Sequence, residues 1–144
     1  MFLERMGRRQ VSQPYAGVKV AESNKPKDLV LVVEDEVLIR MHSADMIRDL
    51  GFEVIEAVDA DEAVSFLESV PGIKVVFTDI QMPGSMDGLL LAAVVRDRWP
   101  PVALLITSGK VRPPTDDMPA GARFIPKPYS PWQLKEQLHS LAAR

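Results

Sequence analysis

The run VLVVEDEVLI, residues 30–39, sets apolar β-formers directly against three consecutive carboxylates. A short β-branched stretch such as Leu29–Val33 reads as a strand buried on both faces. Glu34, Asp35 and Glu36 then stand where that strand ends. Carboxylates packed side by side raise one another's pKa and destabilise a fold unless a cation sits among them. A chain that ends a core strand in this way has a use for the charges.

With 144 residues, 47% of them apolar and 26% charged, the chain has the length and balance of one ordinary globular domain. The absence of cysteine excludes disulfides, thiolate metal sites and cysteine nucleophiles. No stretch approaches the roughly 18 apolar residues of a membrane helix. The opening MFLERMGRRQ lacks the apolar core of a secretory signal, which points to the cytoplasm. Residues 1–27 hold six Lys/Arg against two Glu, a net +4, so the remainder carries −7 of the total −3. Segment 1–27 therefore reads as a basic, flexible N-terminal extension joined through SNKPK to a domain over 28–144.

From residue 28 onward, apolar runs alternate with helical periods. Strands are predicted at Leu29–Val33, Phe52–Ala57, Lys74–Thr78, Val102–Thr107 and Arg123–Pro126. Between them, Val37, Met41 and Ala44 stand on one helical face, and Ala60, Ala63, Val64 and Leu67 on another. Asp59 with Glu62 makes a capping-box-like start to the second helix. Leu90, Ala93 and Val94 mark a third helix, ended by Pro100. Leu134, Leu138 and Leu141 mark the last, with Ser130 as N-cap and Pro131 in the first turn. KVRPPTDDMPAGA holds three prolines, so the helix of the fourth crossover is expected to be short or irregular.

Alternating β and α units give a doubly wound, five-stranded parallel sheet with helices on both faces. In such sheets ligands bind beyond the carboxyl ends of the strands, at a switch in strand order. The strand ends read Glu34-Asp35, Asp79, Thr107-Ser108 and Lys127. Three carboxylates, two hydroxyls and an ammonium suit Mg²⁺, a hard cation that keeps several waters and needs only one or two carboxylates. The same set suits phosphoryl transfer. Asp79, alone at its strand end, would be the nucleophile. Lys127 would hold the phosphoryl oxygens, and Thr107 would donate to one of them.

VVEDE, VVFTDIQMPGSMDG, LLITSG and FIPKPY also resemble the acidic pair, phosphoacceptor, hydroxyl and lysine–proline motifs of the response-regulator receiver domain (CheY-like) of bacterial two-component signalling. Any one motif is weak; four in order, across residues 28–143, are specific. The resemblance implies a flavodoxin-like fold with strand order 2-1-3-4-5 and Mg²⁺-dependent transfer from the phosphohistidine of a sensor histidine kinase or phosphotransfer protein. It makes Asp79 the phosphoacceptor and Glu34, Asp35, Asp79 and the Gln81 backbone carbonyl the metal ligands. Thr107, with Ser108 beside it, becomes the switch hydroxyl, Lys127 the phosphate-binding lysine, Phe124 the switch aromatic, and Lys127-Pro128 a cis peptide. Such a domain is no enzyme beyond catalysing its own phosphorylation and dephosphorylation.

Glu34 stands where the family more commonly has Asp, and MPGSMDG is one residue longer than the usual loop. No DNA-binding domain is expected after Arg144, so the chain reads as a stand-alone receiver whose output partner, and any homodimerisation, stay open. Three other readings compete. A haloacid-dehalogenase-like phosphatase needs Asp-x-Asp after its first strand, which VEDEV does not supply. A flavodoxin-like electron carrier needs a phosphate cradle where this chain has acids. A pseudo-receiver interaction module would have lost the acceptor or the lysine. Residues 109–122 are expected to be the most mobile part of the domain. Phosphorylation is expected to order them while Phe124 turns inward.

Overall fold

Leu29–Val33 forms β1, and its alternation explains the layering. Leu31 and Val33 pack into one apolar cluster, Val30 and Val32 into a second on the opposite face. A strand with no polar side has to be covered on both sides. The computed structural model describes residues 26–110 and 112–143; most of the basic extension and Val111 lie outside the described residues.

Within the described residues the chain continues through α1 (Val37–Asp49), β2 (Glu53–Ala57), α2 (Ala60–Ser69), β3 (Ile73–Asp79), α3 (Gly88–Arg98), β4 (Ala103–Ser108), β5 (Arg123–Pro126) and α4 (Pro131–Ala142). The strands are all parallel in the order β2-β1-β3-β4-β5. Helices α2 and α3 cover one face, where Ala63, Leu67, Leu91 and Val95 meet Val76, Leu104 and Ile106. Helices α1 and α4 cover the other, where Ile47, Leu134, Leu138 and Leu141 meet Val75, Phe77 and Leu105. Each fully buried Leu, Ile or Val contributes about 1.5–3 kcal/mol, so these two layers dominate stability.

Among its described residues the fourth crossover carries one 3₁₀ turn, Thr115–Asp117, held by Asp117 N–H donating to the Pro114 carbonyl and Met118 N–H donating to the Thr115 carbonyl. The prolines have the effect expected of them.

Two helical faces differ from the sequence reading. In α1 the inward stripe is Ser43, Ala44 and Ile47, while Val37 and Met41 lie at the surface. In α3 the inward residues are Leu91, Ala92 and Val95, and Leu90 is 52% exposed. GLLLAAVV is apolar almost all the way round, so periodicity could not select its face. Packing of Gly88 against the end of β3 selects it.

Helix α2 starts as predicted, with the Asp59 carboxylate accepting from Glu62 N–H at 2.8 Å, although the Glu62 side chain reaches Val58 N–H. Ser130 and Gln133 form a reciprocal capping box on α4, with Pro131 in its first turn.

Candidate phosphoryl-transfer site

The sheet reverses its winding between β1 and β3, and their register sets Val33 beside Thr78. The next residues on each strand, Glu34 and Asp79, therefore leave the sheet side by side. Asp35 follows on the same loop. Carboxylate oxygens of Glu34, Asp35 and Asp79 all lie within 4.8 Å of one another. Four strand ends separated by up to 93 residues in sequence meet here. Lys127, beyond β5, places Nζ 3.3 Å from Glu34 Oε1 and 3.5 Å from Asp79 Oδ1.

Several groups fix these side chains. The Asp79 carbonyl accepts from the Thr78 hydroxyl at 2.9 Å, and Ile80 N–H donates to the Thr107 carbonyl at 3.0 Å. Gly88 N–H donates to the Ile80 carbonyl at 2.9 Å, and a Cβ on Gly88 would overlap the Asp79 carbonyl oxygen. Only glycine lets α3 close on the acceptor strand. Glu34 Oε2 accepts from Glu36 N–H at 3.1 Å, and the Glu34 carbonyl accepts from Arg40 at 3.0 Å.

The electrostatics are unbalanced. Burial raises the Glu34 carboxyl above the usual carboxylate range, against the lowering pull of Glu36 N–H and Lys127. Burial also raises Asp79, again opposed by Lys127. Burial alone would lower Lys127, but Asp79 and Glu34 outweigh it and hold the ammonium above its ordinary value. Three carboxylates face one lysine, and buried Asp79 Oδ1 accepts no hydrogen bond. A buried carboxylate oxygen without a donor needs an explanation. An oxygen-rich, negatively biased cluster fits a hard divalent cation.

The other predicted residues are placed as follows. Gln81 is exposed, and its side-chain oxygen accepts from the Ser108 hydroxyl at 2.7 Å. Thr107 is buried and its hydroxyl donates to the Ile125 carbonyl at 2.7 Å, toward β5 rather than toward Asp79. The Lys127-Pro128 peptide is cis.

Phe124 is 8% exposed and belongs to the core. Met118 and Ala122 pack against the same cluster, and the Arg112 guanidinium lies 5.5 Å from the ring centre. The ring has apolar neighbours inside.

Sequence reading missed Arg40, Ser43 and Tyr129. Arg40 ties the Glu34 carbonyl to Glu56, while Ser43 and Tyr129 share a hydrogen bond of 2.9 Å behind the acceptor. A basic residue one turn into the helix after the acidic run, and an aromatic directly after Lys127-Pro128, were the available signals.

The chain matches the Response regulator receiver domain family over residues 30–139. It is 35% identical over 109 residues to the sensor kinase CckA of Brucella abortus, covering 73% of this chain and 11% of that protein. It is 31% identical over 125 residues to the probable transcriptional regulator ycf27 of Cyanophora paradoxa, covering 85% of this chain and 51% of that one. The chain thus spans about half or less of the length of relatives such as these.

Among solved structures, the receiver domain of the hybrid histidine kinase CckA is 30% identical with a TM-score of 0.67, covering 79% of this chain and 98% of that one. The response regulator TrrA of Thermotoga maritima, in complex with Mg²⁺-BeF, is 26% identical with a TM-score of 0.73, at the same coverages of 79% and 98%.

Proposed function

The chain belongs to the response regulator receiver domain family, and from that premise we propose that it takes a phosphoryl group onto Asp79 from a phosphohistidine of a sensor histidine kinase or phosphotransfer protein. The observation that carries this reading is the buried, undonated Asp79 Oδ1 beside Lys127, in a cluster of three carboxylates.

An Asp79 carboxylate oxygen attacks phosphorus in line. The P–N bond to the donor imidazole breaks, and its electron pair stays on the imidazole nitrogen. Transfer of this kind is mostly positioning and charge neutralisation. Lys127 offsets the charge on the phosphoryl oxygens. Thr107 leaves the Ile125 carbonyl and donates to the phosphoryl group, so the product is read out as a changed bond between β4 and β5. Glu34, Asp35, Asp79 and the Gln81 carbonyl would hold Mg²⁺, which supplies further positive charge to the phosphoryl oxygens when bound.

The donor needs a landing surface, and α1 supplies one. Leu38 is 80% exposed, Val37 55% and Met41 49%. Leu38, Ile39 and Met46 line an open groove of about 640 Å³ with Pro128 and Tyr129. Lys127 lies at its edge, so a helix seated there would bring its histidine within reach of Asp79. Exposed apolar patches of this kind mark interaction sites.

Incubation with acetyl phosphate and Mg²⁺ tests the reading. One base-labile phosphoryl group per chain is expected, lost in Asp79→Asn. Labelling that survives Asp79→Asn would overturn it.

A further inference from the structure

Arg40 stands one turn into α1 with its side chain only 12% exposed, and its guanidinium donates to two partners. Nη1 reaches back over the strand–helix turn to the Glu34 carbonyl at 3.0 Å, and Nε reaches Glu56 Oε1 on β2 at 3.3 Å. The Glu34 carbonyl belongs to the peptide that joins Glu34 to Asp35. A peptide unit is a rigid plane from one Cα to the next, so holding its oxygen constrains the direction in which both side chains leave the backbone. Glu34 N–H is held as well, by the Ala57 carbonyl of β2 at 3.1 Å. The ordinary anchor of such a turn is missing: Glu36, the N-cap of α1, makes no side-chain cap hydrogen bond. Among the described residues, none of the hydrogen bonds of Arg40 goes to a carboxylate of Glu34, Asp35 or Asp79. Its charge is met instead by Glu56, whose second oxygen lies 3.4 Å from Arg48. The cluster keeps its oxygens for a cation while the backbone that carries two of the carboxylates is fixed.

We propose that Arg40 is a positioning residue for divalent-cation binding, which preorganises Glu34 and Asp35 through the peptide they share, with Glu56 as its anchor. The inference rests on the reading of Glu34, Asp35 and Asp79 as Mg²⁺ ligands. Arg40 touches neither the cation nor the phosphoryl group and acts only through the Glu34 carbonyl. Two roles for this residue predict opposite signs. As a charge alone, Arg40 repels Mg²⁺, so removing it tightens binding. As a positioning residue it holds two ligands in place, and removing it weakens binding. Lysine keeps the charge but lacks the planar fork that serves two partners at once.

Calorimetric titration of the full, unphosphorylated chain with Mg²⁺, well below its melting temperature, separates the two roles. Wild type, Arg40→Met, Arg40→Lys and Glu34→Gln are compared, each shown to be folded by circular dichroism. Arg40→Met is expected to raise the Kd for Mg²⁺ about tenfold or more, the range for residues that orient metal ligands. Arg40→Lys is expected to bind nearly as weakly. A Kd in Arg40→Met equal to or below that of the wild type overturns the proposal, even where the melting temperature falls, because a merely structural role leaves the affinity unmoved. Wild-type affinity in Arg40→Lys overturns it too, and decides alone where Arg40→Met fails to fold. No Mg²⁺ binding by the wild type, or undiminished binding by Glu34→Gln, overturns the ligand reading and this proposal with it. Weakened binding in Glu34→Gln beside wild-type affinity in both Arg40 variants sinks only the role of Arg40.

Discussion

Asp79 and Glu34 are both shifted toward the protonated form by burial, with Lys127 too far outnumbered to reverse it. A carboxyl whose folded pKa lies above its unfolded value makes the folded state bind more protons in the interval between the two. Its stabilising contribution is therefore present below the ordinary carboxylate range and is lost as pH rises through the raised values. Metal-free protein should accordingly lose stability as pH rises across that interval, then level off. Thermal unfolding in EDTA across acid to neutral pH checks this; a melting temperature that rises through that interval would contradict it. By the same logic Asp79→Asn should unfold a few degrees higher than wild type in EDTA, since an uncharged amide removes one of three crowded carboxylates while abolishing labelling. The identities of these residues were legible in the sequence, because each ends an apolar run and parallel strands bring such ends together. Their rotamers were not. Whether Thr107 faces Ile125 or Asp79, and whether Phe124 lies in or out, is decided by neighbours from β5 and the fourth crossover that no local pattern specifies.

At the scale of elements, strand positions were readable and helix faces were not always. Strands β1 and β5 fall where the apolar runs placed them, β2 starts one residue later, and β3 and β4 differ by one residue at each end. The face of α3 was misread because its apolar residues surround it, and the constraint that selects the face is a contact. Gly88 packs on the Asp79 carbonyl. Helix propensity alone favours Gly88→Ala by up to about 1 kcal/mol. The overlap with backbone should reverse that sign, costing about 1–3 kcal/mol in denaturant unfolding and reducing the rate of labelling. A stabilised Gly88→Ala protein would show that α3 can shift without disturbing the acceptor. The fourth crossover is the converse case, read correctly from its prolines. Its single 3₁₀ turn rests on few backbone bonds, and Arg96 holds it from outside by donating to the Ala120 carbonyl at 3.1 Å. Few bonds and few buried contacts mean opening at low free energy. Amide exchange over residues 112–122 is expected to be faster than in α1, and to slow when Asp79 is phosphorylated and Thr107 is drawn from β5. Protection equal to that of α1 in the unmodified protein would refute this.

Across the whole molecule, the groove on α1 and the carboxylate cluster are two sides of one wall. Ser43, Lys127 and Tyr129 line the groove and also the space behind Asp79. The Ser43–Tyr129 hydrogen bond and the edge-on packing of Tyr129 against Phe77, 5.7 Å between ring centres, hold that wall rigid. A donor seated in the groove thus meets a preformed site, and docking and chemistry can be separated by changing the donor. Leu38 projects from the groove's rim and supports no core packing, so Leu38→Glu should fold normally. A charge there places an unpaired carboxylate against an apolar partner helix, and burying an unpaired charge costs about 2 kcal/mol or more. With a phosphohistidine donor, kcat/KM for transfer is expected to fall at least about tenfold, mostly through KM, because orientation on Asp79 is unchanged once bound. Acetyl phosphate is too small to span the groove, and its labelling rate should fall far less. Equal losses with both donors would mean that Leu38 acts on the site itself, and that the phosphohistidine protein docks elsewhere.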